Sequence, residues 1–191
     1  MERQPVGAGG VGSGMIAFVD VHYRESDATA ACVLADGWSA NTPLDAWTCE
    51  VAPIAPYEPG AFFKRELPCL LEVLRRAPPL GCVVIDGYVW LDASRSPGLG
   101  ARLHEALGGV PVIGLAKTKW KGADFATPVP RPGSTKPLFL TCVGVDDALA
   151  RRHVAGLHGA HRLPTLVKHV DALARGRSAS DHQPSRRNHG A

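Results

Sequence analysis

Two carboxylates stand where a packed strand would resist a charge. Asp86 follows the apolar run Cys82-Val-Val-Ile85 and precedes Gly87, and Asp20 interrupts Ile16-Ala-Phe-Val-Asp-Val21. An unpaired charge on a packed strand is costly to bury. Two carboxylates held side by side repel, so one takes up a proton unless a cation lies between them. Magnesium suits such a pair, because it wants oxygen ligands, keeps several waters and bridges carboxylates to phosphate; manganese takes the same donors. One or two such ions activate water and stabilise the oxygens of an in-line phosphodiester displacement. The chemistry implied is metal-dependent hydrolysis of a nucleic acid, on the condition that the fold brings Asp20 and Asp86 together. Taken alone, Asp86-Gly87 is also an ordinary turn pair.

The elements that must position the two acids can be traced along the chain. Cys82–Ile85 is apolar without alternation, which predicts a strand covered on both faces. A carboxylate at the carboxyl end of such a strand sits where open α/β sheets place their ligands. Met15–Tyr23, Thr29–Ala35 and Trp47–Ile54 predict three strands, joined closely enough to form an antiparallel meander. After the break at Pro56–Gly60, the apolar residues Phe62, Phe63, Leu67, Leu70, Leu71 and Leu74 predict a helix within Ala61–Arg76. Pro68 implies a kink or a late start. Gly98–Leu107 predicts a second helix and Val112–Ala116 a strand. A loop rich in proline and glycine then runs to Pro137, and Leu138–Val145 predicts a further strand. Asp146 or Asp147 can cap a helix through Leu157, and Leu163–Ala174 predicts the last helix. A meander followed by βα units is the element order of the ribonuclease-H-like α/β fold, a mixed sheet flanked by helices. In it, the strand after the first helix lies beside the first strand, so Asp20 and Asp86 would be neighbours.

The totals fit one domain with a proper core, placed at residues 15–175. The net charge of +3 neither demands nor excludes a nucleic-acid partner. Five widely spaced cysteines without a C-x-x-C pair support neither a zinc knuckle nor a disulfide framework. Buried reduced thiols in a cytoplasmic protein are the simplest account. No apolar run approaches membrane-spanning length, and the N-terminus lacks the pattern of a secretory signal. Residues 1–14 are glycine-rich and residues 176–191 polar, with Arg177, Arg186 and Arg187; both predict disordered tails. Met15 opens the first apolar run and is a candidate translation start.

An ordered set of segments resembles the endonuclease V family, nucleases that act on deaminated purines. The set comprises the first strand ending in Asp20, PYEPG at Pro56–Gly60, FFKREL with Glu66, and VVIDG with Asp86. VPVIGLAK ending in Lys117 and HRLPT at His161–Thr165 complete it. The resemblance implies that Asp20, Asp86 and Glu66 bind magnesium or manganese. It implies that Lys117 neutralises developing phosphate charge or orients the attacking water. Tyr57, within the Pro56-Tyr57-Glu58-Pro59-Gly60 wedge, would stack near the lesion, and Gly87 would line the substrate site. A flipped base needs a planar surface and a turn able to enter the gap, and a lysine at a strand end is a compact phosphate partner. The partner implied is DNA or RNA bearing inosine, cut one nucleotide beyond the lesion to leave a 3′-hydroxyl and a 5′-phosphate. No membrane partner is implied, and a monomer is expected.

The chain departs from the family pattern at two places. A histidine after the late strand is absent from Pro137–Asp147, and Tyr88 and Val89 stand after Asp86-Gly87 where the family has a DGHG motif. Asp146 could approach the metal in place of the first histidine, or simply cap a helix. His22 shares a strand face with Asp20 by alternation. The alternative reading is therefore a catalytically degenerate relative that keeps nucleic-acid binding without turnover.

Overall fold

The structure is a computed structural model that describes residues 14–56, 58, 62–119 and 122–177. The expected tails at residues 1–13 and 178–191 lie outside the described residues, as do Tyr57, Pro59 and Gly60 of the expected wedge.

The chain runs β1 (Met15–Tyr23), β2 (Ala28–Ala35), β3 (Asp45–Val51), α1 (Phe63–Leu74), β4 (Leu80–Asp86), α2 (Leu99–Ala106) and β5 (Val112–Ala116). It continues with β6 (Thr127–Val129), β7 (Leu138–Val143), α3 (Asp147–Gly156) and α4 (Thr165–Ala174). The strands form one mixed sheet in the order β3-β2-β1-β4-β5-β7-β6. As the element order predicts, β1 to β3 form an antiparallel meander and β4 lies parallel to β1. The short strand β6 falls within the loop expected to be irregular. Thr127-Pro128-Val129 carries no readable alternation, and Pro128 is tolerated because β6 is an edge strand.

Alternation along the strands sends side chains into two cores. One face buries Phe18, Val84 and Ile113 against Val154 of α3 and Leu166 and Val170 of α4. The other buries Val19, Val83 and Ile85 against Leu70 and Val73 of α1 and Leu103 of α2. Cys82–Ile85 is buried throughout, as a strand covered on both faces must be. Helix α1 starts at Phe63, one residue after its apolar pattern begins, and keeps Pro68 inside it. Asp146 caps α3, its carboxylate accepting the Leu149 N–H at 3.0 Å. Among the described residues no helix is long and apolar enough to cross a membrane.

Candidate functional site

The parallel pairing of β1 and β4 decides where the two strand carboxylates go. Val19 lies opposite Ile85, so the next residues, Asp20 and Asp86, stand side by side at the carboxyl end of β4. Both fall on the face of Phe18 and Val84, the face that α4 covers. Glu66 reaches the same charges from α1, on the other side of the sheet, and is only 7% exposed.

The electrostatics show three acids sharing one neighbourhood. Burial, and then the charge of Asp86, raises the Asp20 carboxyl to about 6. Burial, and then the charges of Asp20 and Asp86, raises Glu66 to about 8. Both carboxyls therefore resist ionisation because each would add a negative charge to a poorly hydrated site.

Lys117, one residue past β5, donates to Asp86 Oδ2 at 2.7 Å. Burial alone would lower the Lys117 ammonium, but the hydrogen bond to Asp86 and the charges of Asp86, Asp171 and Asp20 hold it above its usual value. Arg162, from the HRLPT segment, donates to the carbonyls of Lys117 and Pro137 and so ties the end of β5 to the approach to β7.

Asp171 on α4 escaped the sequence reading. It stands within hydrogen-bonding reach of Asp20. Burial would raise its carboxyl, yet the hydrogen bonds and charge of Arg175, with help from Lys117, hold it below the usual range. The signal available was its place on a helix otherwise read only for its apolar face. Asp171 falls among Val167, Val170 and Ala174, where one acid looks like an ordinary partly hydrated residue.

The turn after Asp86 is built around two glycines. Gly87 takes φ +128°, a conformation that side chains rarely adopt, and donates to the Leu115 carbonyl at 3.1 Å. Gly114 lies directly beneath, where an added Cβ would come within 2.6 Å of the Gly87 carbonyl oxygen. Where the family pattern has histidine and glycine, Tyr88 donates its hydroxyl to the Thr118 carbonyl at 3.0 Å and packs edge-on to Phe125. Val89 is fully buried and its N–H donates to Thr141 Oγ1 at 2.8 Å. Asp146 is engaged as the α3 cap and supplies no replacement for the missing histidine.

Of the wedge, Pro56 is described and exposed. Beyond it, Phe62 is 45% exposed, and its ring meets Tyr23 edge-on, with centroids 5.8 Å apart. The Arg65 guanidinium lies over the same tyrosine ring at 4.3 Å. The segment that follows the wedge is thereby fastened to the end of β1, close to Asp20.

A cavity of about 790 Å³ opens between the strand ends and α4, lined by Asp20, Asp86, Lys117, Lys168, Asp171 and Arg177 among others. Among the described residues, no three His, Cys, Asp or Glu side chains close into a ready metal cage. Two of the four acids point instead to cations of the chain, Asp86 to Lys117 and Asp171 to Arg175. The donor chemistry nevertheless fits a hard divalent cation: every candidate ligand is a carboxylate oxygen, and two of the groups resist ionising without added positive charge.

A mixed sheet with acids converging from β1, α1 and β4 defines an α/β protein with a carboxylate-centred site. The chain belongs to the Endonuclease V family, whose model matches residues 8–158. It is 35% identical to Endonuclease V of Streptomyces coelicolor, over 86% of this chain and 79% of that protein. It is 36% identical to Endonuclease V of Xanthomonas axonopodis pv. citri, over 84% and 76%. Among solved structures, Endonuclease V from Streptomyces avermitilis superposes with a TM-score of 0.69 at 29% identity, covering 86% of this chain and 81% of that one. Ciona intestinalis Endonuclease V, in complex with a 24mer DNA containing an inosine followed by a ribo-adenosine, superposes with a TM-score of 0.69. At 18% identity, over 85% of each chain, that likeness shows the fold alone.

Proposed function

We propose that this chain is a magnesium- or manganese-dependent endonuclease that hydrolyses a phosphodiester near inosine in DNA or RNA. The observation that carries the reading is the β1–β4 register that sets Asp20 beside Asp86, where burial and then neighbouring carboxylate charge raise both Asp20 and Glu66. Family membership supports the substrate class. Asp20, Asp86 and Glu66 would hold the cation, which when bound supplies the Lewis-acid charge that makes water a better nucleophile. Lys117, already at the Asp86 carboxylate, presents a compact positive charge where a phosphate oxygen would gain negative charge. The Pro56–Gly60 wedge, with Tyr57, would open the base stack, and Gly87 would let the strand approach the Asp86 backbone closely. On this reading a single domain over residues 15–175 works as a monomer, and the free thiols of Cys32, Cys69 and Cys82 fit a cytoplasmic setting.

Incubation of the protein with inosine-containing oligonucleotides and magnesium or manganese tests the reading. Cleavage is expected, with loss in Asp86→Ala. Failure to cut inosine DNA or RNA with either ion would overturn it. The substitution of Tyr88 and Val89 for family residues favours one competing reading, a relative that binds without cutting. Tight inosine-selective binding with no product under either metal would establish that reading instead.

A further inference from the structure

The geometry points to α4 as one bank of the nucleic-acid channel, with Arg175 as the side chain that grips a phosphate beside the acids. The inference rests on the nuclease reading above. Helix α4 buries Leu166, Val170 and Ala174. Lys168, Asp171 and Arg175 recur at three- and four-residue spacing and so share a different stripe of the helix.

Arg175 has hydrogen-bond donors beyond those that Asp171 takes. A guanidinium carries five N–H groups. Nε donates to Asp171 Oδ2 at 3.2 Å and Nη2 to Asp171 Oδ1 at 3.1 Å. Three N–H groups therefore remain, on a side chain that is 44% exposed. The bidentate grip of Asp171 fixes the plane of the fork, so less freedom is lost when the remaining donors meet a ligand. Asp171, which Arg175 grips, lines the cavity together with Asp20 and Asp86, and this sets the guanidinium beside the site. Lys168 and Arg177 line the cavity that Asp20, Asp86 and Lys117 share.

Four acids in one place repel a polyanion, so a strand that is to lie over them needs positive charge on its approach. Lys117 supplies it from the β5 side. On the opposite side the available cations are those of α4, and among them Arg175 has the planar fork that matches a phosphate. The occupant that fits is a phosphodiester of the substrate strand. If Arg175 were only an i,i+4 partner of Asp171, its loss would leave the salt dependence of strand binding untouched.

Fluorescence anisotropy with a labelled, inosine-containing single strand, in calcium in place of magnesium, provides the test. Affinity is read from about 50 to about 200 mM salt. Arg175→Ala is expected to bind about tenfold more weakly at low salt, and its log–log salt slope to fall by about one. Arg175→Lys should keep most of the slope, and Lys168→Ala should lose a similar part of it. Arg152→Ala should match the wild type, because its neighbour His153 stacks on Trp38, beyond the far end of β2. Should Arg175→Ala melt early, Arg175→Gln and Lys168→Ala carry the test. Unchanged slopes in the α4 variants, or no measurable binding by the wild type, would overturn the assignment. A wild type that binds with these slopes but never cuts in magnesium or manganese would instead overturn the nuclease reading and leave α4 assigned.

Discussion

The carboxylate of Asp171 reaches Asp20 across the gap between α4 and β1, and its partner Arg175 keeps it ionised there. The acid cluster is thus closed from three directions: the strand ends, α1 and α4. Asp171→Asn keeps the shape but removes the charge. A supporting carboxylate of this kind contributes about 10- to 100-fold to metal affinity or activity. Activity is expected to fall by that order, with manganese titrations shifting to higher concentration. Unchanged metal dependence in Asp171→Asn would remove this residue from the site.

Lys117, just past the end of β5, and Asp86, at the end of β4, form a direct ion pair at this rim. Both side chains are 39% exposed, so the pair itself contributes little to stability. Its value lies in where it holds the ammonium. Lys117→Ala should leave the melting temperature nearly unchanged while lowering kcat by roughly 10²- to 10³-fold, the effect of losing one charge-stabilising donor. Lys117→Arg should recover only part of that loss, because the fork does not reproduce a compact ammonium. Equal losses of stability and activity in Lys117→Ala would mark the lysine as structural.

Gly114 makes a prediction that concerns backbone rather than charge. A methyl group at this position meets the Gly87 carbonyl oxygen at 2.6 Å and the Val89 nitrogen at 3.1 Å, neither of which is the end of a flexible side chain. Gly114→Ala must therefore lift the turn that follows Asp86. Overpacking of this kind costs about 1–3 kcal/mol, and the lifted turn carries Asp86 with it. Chemical denaturation should show the loss, and cleavage should fall further than stability alone explains. A fully stable Gly114→Ala variant would mean that the crossing is looser than the distances state.

The meander and the place of β4 beside β1 were legible because burial on both faces leaves a continuous apolar run, as in Cys82–Ile85, and short turns leave a meander little choice of topology. Asp20 and Asp86 were legible for the opposite reason, as charges in places that otherwise exclude them. Glu66 was reached only through its place in FFKREL, since a single acid on an amphipathic helix looks solvated until tertiary packing buries it to 7% exposure. Asp171 and Arg175 remained hidden for the same reason, and their spacing alone reads as a routine surface pair. The edge strand β6 escaped notice because three residues around a proline carry no period.

Glu66 and Asp20 also make the stability of the protein depend on pH in an unusual direction. Their carboxyls ionise near 4.5 and 3.8 in an unfolded chain but near 8 and 6 in the folded one. Between those values the folded chain holds protons that the unfolded chain has released, so stability falls as pH rises. With divalent ions removed by EDTA, the melting temperature should decline from about pH 4 to about pH 8, with Asp20 and Glu66 both acting up to about pH 6 and Glu66 alone above it. Glu66→Gln supplies a neutral side chain of the same shape and should flatten the curve above about pH 6, leaving below it only the decline that Asp20 causes. Added magnesium favours the ionised forms and should raise the melting temperature most at the alkaline end. Parallel pH curves for the wild type and Glu66→Gln would mean that Glu66 ionises freely in the folded protein. The strain attributed to the three acids would then be absent.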